Sequence, residues 1–335
     1  MTTRPRALLV MAPATFERQF SAEHIDRLAA AVDLSTPVVV PSFDAAGDLL
    51  ASADVLLTSW GCPSITAELL DAAPRLGAIV HAAGSVRGLV PADIHERGIQ
   101  VTTAADLNAV PVAEFTLAAV ILAGKRALPL AEHGRHTPGS WDTSFASGSL
   151  SNLGRTIGIV GFSRIGRRVM ELLPVLDTGA ILVADPFADR AEVEAAGGTL
   201  LPLPEVLAKA DILSLHAPLL DTTAGMIGAE ELALMPDGAT LINTARGGLV
   251  DHDALLRECR AGRLDAILDV TDPEPLPVGH PLLALPNVTI TPHVAGSLGS
   301  ETRRLADFAV DAVVAYAAGE PLPGALTLEV SEVSA

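Results

Sequence analysis

The chain has 335 residues and a formal charge of −18, from 22 Lys and Arg against 40 Asp and Glu. That length allows two domains with a core each, and the acidic surplus repels nucleic acid and anionic membranes, so neither is expected as a partner. Nearly half the residues are apolar and the mean hydropathy is +0.41, but the apolar runs are short and broken by Gly, Pro and Asp, below the roughly 18 residues of a membrane span.

In chain order, "MTTRPRALLVMAPATF" contains a first strand, "ALLVMA", that stops at Ala12-Pro13. "DVLLTSW" and "LGAIVHAAG" follow, then "TIGIVGF", "AILVADP", "DILSLHA", "ATLINTA", "DAILDV" and "NVTITPH". Continuous apolar strands separated by helix-like stretches predict parallel sheets covered on both faces, so the expected class is α/β. Cys62 and Cys259 stand far apart, with no CxxC pair and no metal-ligand cluster. A reduced, cytoplasmic protein without a metal site is expected.

Two segments differ from this alternation. "NAVPVAEFTLAAVILAGKRAL", from Asn108, reads as a long apolar helix with Pro111 in its first turn, where a missing N–H is tolerated. "GSETRRLADFAVDAVVAYAA", from Gly299 to Ala318, is also helical in pattern. These two helices would carry the chain into a second domain and back. The predicted arrangement is a nucleotide-binding domain over residues 106–297, inserted into a discontinuous substrate-binding domain of residues 1–105 and 298–335. "AEHGRHTPGSWDTSFASGS" reads as a loop.

"GIVGFSRIGRRV" is nearly the G-x-G-x-x-G phosphate loop, with Gly161 and Gly166 at its ends and Ser163 in the middle. A strand precedes it, and a helix opening at Arg164 and Ile165 follows, whose first N–H groups would face a phosphate. Asp185 ends the next strand, at the spacing where a carboxylate accepts from the ribose hydroxyls of NAD and repels the 2′-phosphate of NADP. Ser163 adds a Cβ that crowds the backbone and a hydroxyl that could donate to a phosphate oxygen.

Polar residues also follow other strands, at the ends where open α/β sheets bind ligands. Arg246 follows "ATLINTA", Asp269 and Glu274 follow "DAILDV", and His293 follows "NVTITP". An arginine fork can clamp a carboxylate, and a histidine held by a carboxylate can pass a proton. With a nicotinamide, these parts suffice to interconvert an alcohol and a ketone beside a carboxylate. Each residue also has a purely structural alternative: Arg246 bracing Asp251, Glu274 as a solvated loop acid, His293 capping a strand.

From about Leu49 to Gly319 the sequence resembles the D-isomer-specific 2-hydroxyacid dehydrogenases. The likeness is strongest in "VGFSRIGRRV", "SLHAPLLDTTAGMIG", "MPDGATLINTARGGLVD", "LDVTDPEPLPVGHPLLALPNVTITPHVAGS" and "NAVPVAEFTLA". The resemblance implies two Rossmann-like domains, the outer one flavodoxin-like, and a homodimer. It implies that Arg246 binds the substrate carboxylate and carbonyl oxygen, that Glu274 pairs with His293, and that His293 is the acid/base. Asp269 would hold the nicotinamide carboxamide. Thr244, Ala245, His216, Pro218 and Thr223 would line the cofactor. Ala83 and Gly84 would receive the substrate carboxylate, and Asn108 would line the cleft. Two departures stand out in the substrate loops. Val86 and Arg87 replace the usual acidic or amide residues, and "TSWGCPS" offers Trp60 with no basic residue, which favours a small or apolar substrate side chain over a phosphorylated one.

The expected activity is therefore NAD-dependent interconversion of a 2-oxo acid and a D-2-hydroxy acid. Formate or phosphite oxidation on the same fold, and a dinucleotide-sensing corepressor, are the alternatives. The acidic chain has no evident nucleic-acid surface for the corepressor role.

Overall fold

The computed structural model describes residues 4–136 and 150–326. The chain divides into two compact units, Met1–Asn108 with Ser297–Ala335, and Ala109–Gly296.

The strands of the first unit are β1 (Arg6–Val10), β2 (Asp33–Val40), β3 (Val55–Thr58), β4 (Ala78–His81) and β5 (Gln100–Thr103). They form a parallel sheet in the order β2-β1-β3-β4-β5, the flavodoxin-like order. Side chains alternate across a strand, so each strand feeds two cores. Leu8, Val10, Leu56, Ile79 and Val101 pack on one face; Ala7, Leu9, Val55, Leu57, Ala78 and Val80 pack on the other. The second face is covered by the Thr302–Ala318 helix through Ala306, Ala309, Val310 and Val313, the i, i+3, i+4, i+7 stripe of a core-facing helix. Gly319, at φ 74°, ends that helix in a left-handed cap.

The second unit contains β6 (Ile157–Val160), β7 (Ile181–Ala184), β8 (Thr199–Leu200), β9 (Ile212–Leu215), β10 (Thr240–Asn243), β11 (Asp265–Leu268) and β12 (Val288–Ile290). The parallel order is β12-β11-β10-β9-β6-β7-β8. The order reverses between β6 and β9, which makes their carboxyl ends the topological switch point of a dinucleotide fold.

Three strands escape the sequence reading. β2 is an edge strand with an irregular burial pattern and Pro37 inside it, a residue that edges tolerate and that disguises a strand. β5 is the short, polar "QVTT", and β8 has two residues. The helix assigned from Asn108 begins earlier, at Ala105, and runs to Gly124, so Pro111 lies inside it rather than in its first turn. This helix has the length and hydropathy of a membrane span, but Ala109, Val112, Ala113, Thr116, Ala119, Val120 and Ala123 form a buried face. The stripe repeats every three or four residues, as a core-facing helix requires. Residues 131–136 of the expected loop belong to the helix Ala127–His136; the rest of that loop lies outside the described residues.

Candidate functional site

The glycine-rich turn follows β6. Gly161 has φ 97°, and a Cβ there would sit 2.5 Å from the Ala217 backbone nitrogen. A Cβ on Gly166 would sit 2.1 Å from the Gly161 carbonyl oxygen. Both positions therefore require glycine, one for the turn and one for close helix–strand packing. Ser163 has an ordinary extended backbone (φ −73°, ψ −179°) and caps the Arg164–Leu172 helix, accepting from the Gly166 N–H. Its hydroxyl donates to the His216 carbonyl at 2.8 Å. The sequence left open whether this hydroxyl crowds the turn or donates; here its one proton goes to a main-chain carbonyl. The N–H groups of Ser163 and Ile165 have no partner among the described residues, and Arg164 and Ile165 open the helix. A helix N-terminus with unspent donors over a cradle that excludes Cβ atoms fits a pyrophosphate.

Asp185 follows β7. Its carboxylate accepts from the N–H of Phe162 and from that of Phe187, each at 2.8 Å. The same group expected to read the ribose thus also braces the turn. His216 is buried against β9, with Nε2 2.9 Å from the Ser214 hydroxyl, and burial pulls its pKa down to about 3. It is a neutral imidazole and no proton donor at physiological pH. Thr223 closes the loop after β9 upon itself, donating to the Pro218 carbonyl at 2.6 Å and accepting from Leu220 N–H at 2.7 Å. Thr244 and Thr116 share a 2.9 Å hydrogen bond, and Ala245 N–H donates to the Asn243 side chain at 3.0 Å.

The acid–base cluster is built from the ends of β10, β11 and β12. His293 Nδ1 lies 2.6 Å from Glu274 Oε1, with both side chains about half exposed. His293 holds φ 53°, an uncommon conformation for a non-glycine residue, and Asp269 accounts for it. The Asp269 carbonyl accepts from His293 N–H at 3.0 Å. The Asp269 carboxylate accepts from Thr291 Oγ1 at 2.6 Å, Val294 N–H at 2.8 Å and Ala295 N–H at 2.9 Å. Asp269 therefore fixes the loop that presents His293, and Oδ2, with one of these bonds, keeps acceptor capacity. Arg246 donates to the Ala245 carbonyl at 2.6 Å. Burial pulls its pKa down and the Glu274 charge pushes it back up, leaving a guanidinium cation at neutral pH. Its loop is tightly packed, since a Cβ on Gly247 would fall 2.0 Å from the Thr271 carbonyl group.

In the first unit, the segment after β4 is held by its carbonyls. The Ala82 carbonyl accepts from Gln19 Nε2 at 2.5 Å and from Ser59 Oγ at 3.2 Å. Thr103 Oγ1 donates to the Ala83 carbonyl at 2.8 Å and also contacts that of Gly84. With the carbonyls tied down, the N–H groups of Ala83, Gly84 and Ser85 have no partner among the described residues, as an anion-binding turn requires. Asn108 accepts from Ser297 N–H at 3.0 Å, and its amide would lie 3.2 Å from a Cβ on Gly84. Val86 is buried, Arg87 exposed, and Trp60 39% exposed. Gln19, Ser59, Thr103 and Thr291 carry no motif and were invisible in the sequence; the signal that could have found the last three is a hydroxyl residue just inside or after a strand end.

Fold and loop together define a dinucleotide-binding α/β protein with a histidine–carboxylate pair at its strand ends. Residues 118–295 match the D-isomer specific 2-hydroxyacid dehydrogenase, NAD binding domain. Glyoxylate reductase of Aeropyrum pernix is 34% identical over 276 residues, 80% of this chain and 82% of that one. D-3-phosphoglycerate dehydrogenase of Archaeoglobus fulgidus is 32% identical over 271 residues, 81% of this chain; this chain spans about half of that protein's length, 51%. The crystal structure of D-lactate dehydrogenase from Aquifex aeolicus, complexed with NAD and lactic acid, is similar at 26% identity and a TM-score of 0.73, covering 94% of this chain and 96% of that one. The chain belongs to the D-isomer specific 2-hydroxyacid dehydrogenase family, and its second unit carries the family's NAD-binding domain.

Proposed function

We propose that the protein is an NAD-dependent dehydrogenase that interconverts a 2-oxo acid and a D-2-hydroxy acid. The observation that carries this reading is the 2.6 Å contact between His293 and Glu274, on a loop anchored by Asp269. The residues at the β6–β9 switch point would hold the dinucleotide, whose nicotinamide would supply or accept the hydride. Glu274 on Nδ1 leaves His293 Nε2 as the atom that delivers a proton to the substrate oxygen in reduction and removes it in oxidation. Arg246 holds the substrate carboxylate and the oxygen on which charge develops. In the first unit by itself, the unspent N–H groups of Ala83 and Gly84, with Asn108 beside them, are donors that suit an anionic group. Asp269 has acceptor capacity for the carboxamide.

Trp60 in place of a cation favours a substrate with a small or apolar side chain over a phosphorylated one. A scan of glyoxylate, pyruvate, longer 2-oxo acids and 3-phosphohydroxypyruvate, following NADH absorbance, tests this reading. Turnover of a non-phosphorylated 2-oxo acid is expected; oxidation of formate or phosphite only, or no turnover of any of these, would overturn it. The unpaired thiols Cys62 and Cys259 support a reducing, cytoplasmic location, and the family supports a homodimer, which light scattering tests.

A further inference from the structure

Ser163 stands where the phosphate loop expects its middle glycine, and its hydroxyl is engaged on both sides. It donates to the His216 carbonyl at 2.8 Å and accepts from Gly166 N–H at 3.4 Å. His216 belongs to the segment leaving β9, Ser163 to the turn leaving β6, so this one side chain ties together the two strands that flank the switch point. The tie is reinforced from the main chain, where His216 N–H donates to the Val160 carbonyl at 2.7 Å. Between these two bonds lies Gly161, where a Cβ would fall 2.5 Å from the Ala217 backbone nitrogen, so the close approach of the two segments requires glycine.

We propose that Ser163 is a positioning residue for the dinucleotide. By bonding to the His216 carbonyl it presets the β6 turn, so that the N–H groups of Ser163 and Ile165 are aimed before any pyrophosphate arrives. A glycine in the middle position leaves that turn free to move, and ordering it then opposes binding. Serine here exchanges the closer backbone approach of glycine for a pre-ordered turn. The hydroxyl acts through His216 rather than by touching the ligand, which separates this role from that of a phosphate donor.

The test combines calorimetric titration of NADH with hydrogen exchange of the ligand-free protein, for wild type, Ser163→Ala, Ser163→Gly and Ser163→Thr. Ser163→Ala and Ser163→Gly are expected to bind NADH about five- to tenfold more weakly, as loss of one hydrogen bond implies. In the ligand-free state they should exchange faster at the amides of residues 161–167 and 216–218. Ser163→Thr, which keeps the hydroxyl, should restore both. The inference rests on the dinucleotide site, and the two arms fail separately. Wild type that binds no NADH would overturn that site, while exchange still reports whether the tie exists. Ligand-free exchange unchanged in Ser163→Ala, or NADH binding by Ser163→Gly as tight as wild type, would overturn the positioning role.

Discussion

His293 Nδ1 and Glu274 Oε1 lie 2.6 Å apart, on loops that leave two neighbouring strands, β12 and β11. The pair sets this histidine apart from the others at strand ends. His81 and His216 are buried and neutral, pulled down to about 4 and about 3, whereas His293 meets solvent and a carboxylate. His293→Ala should lower turnover by roughly 10²-fold or more in both directions, with NADH affinity measured by fluorescence close to wild type. Glu274→Gln removes the carboxylate that holds His293 Nδ1, so turnover should fall in both directions with NADH affinity close to wild type. Turnover unchanged in the variant would show that the contact is structural only.

Arg246 presents a fork that a lysine cannot reproduce. Arg246→Lys keeps the charge, yet kcat/KM for the 2-oxo acid should drop by at least about 10²-fold, because the lost contacts are strongest in the transition state. NADH binding by calorimetry should change less than about twofold. Selective loss of NADH binding would place the residue elsewhere.

Asp185 accepts two main-chain N–H groups, from Phe162 and Phe187, and is the carboxylate proposed to meet the ribose hydroxyls. NADH should be preferred over NADPH by at least about 10²-fold in kcat/KM, since the carboxylate repels a 2′-phosphate. In Asp185→Asn an amide N–H must face a main-chain N–H. NADH affinity should therefore fall and the preference narrow together, and steady-state kinetics with both cofactors reads the two effects.

The neutral, buried histidines predict acid sensitivity. The unfolded chain takes up a proton on each near pH 6.5, whereas the folded protein resists until about pH 4 at His81 and about pH 3 at His216. More protons are bound by the unfolded state in that interval, so their contribution to stability is full above about pH 6.5 and declines as pH falls from there. Calorimetric melting from pH 8 to pH 4 should show the decline. His81→Gln, which cannot take up the proton, should show a shallower slope; an equal slope would rule out a contribution from His81.

Arg126 and Asp265 form a buried two-pronged ion pair, Nε to Oδ2 at 2.8 Å and Nη2 to Oδ1 at 2.9 Å. Burial raises the Asp265 pKa in spite of the arginine's opposing pull, a sign that desolvation outweighs attraction. Asp265→Ala would remove the carboxylate that both prongs of the buried guanidinium reach and should cost about 3–5 kcal/mol of stability. Arg126→Met with Asp265→Leu should recover most of that loss in urea denaturation. A double variant as unstable as the single would show that the pair is net stabilising.

The sequence by itself determined the fold class and marked out candidate residues able to do chemistry. Parallel strands buried on both faces must be continuously apolar, and "ALLV", "VLLT" and "TLIN" are. A helix N-terminus that accepts a phosphate needs glycine at tight positions, and Gly161 and Gly166 mark it. What failed locally failed where a strand's partners, and not its own residues, stabilise it: β2 holds a proline and β5 is mostly polar, yet each pairs with a strong neighbour. Pro111 was read as a helix start because proline is best tolerated there, whereas burial of one face of the Ala105–Gly124 helix carries the helix through it.

Only the tertiary structure decided the uses of the polar atoms. Nothing in "GFSRIG" says that the Ser163 hydroxyl is spent on His216, 53 residues away, because a hydrogen bond depends on which strands are neighbours. Nor does "DVTDPEP" say that Asp269 fixes the loop of His293, or "FERQ" that Gln19 braces Ala82. The residues able to do chemistry are written in the chain, since their types and strand-end positions are local properties. Which proton meets which oxygen is set by the sheet order, which brings together residues that no sequence spacing relates.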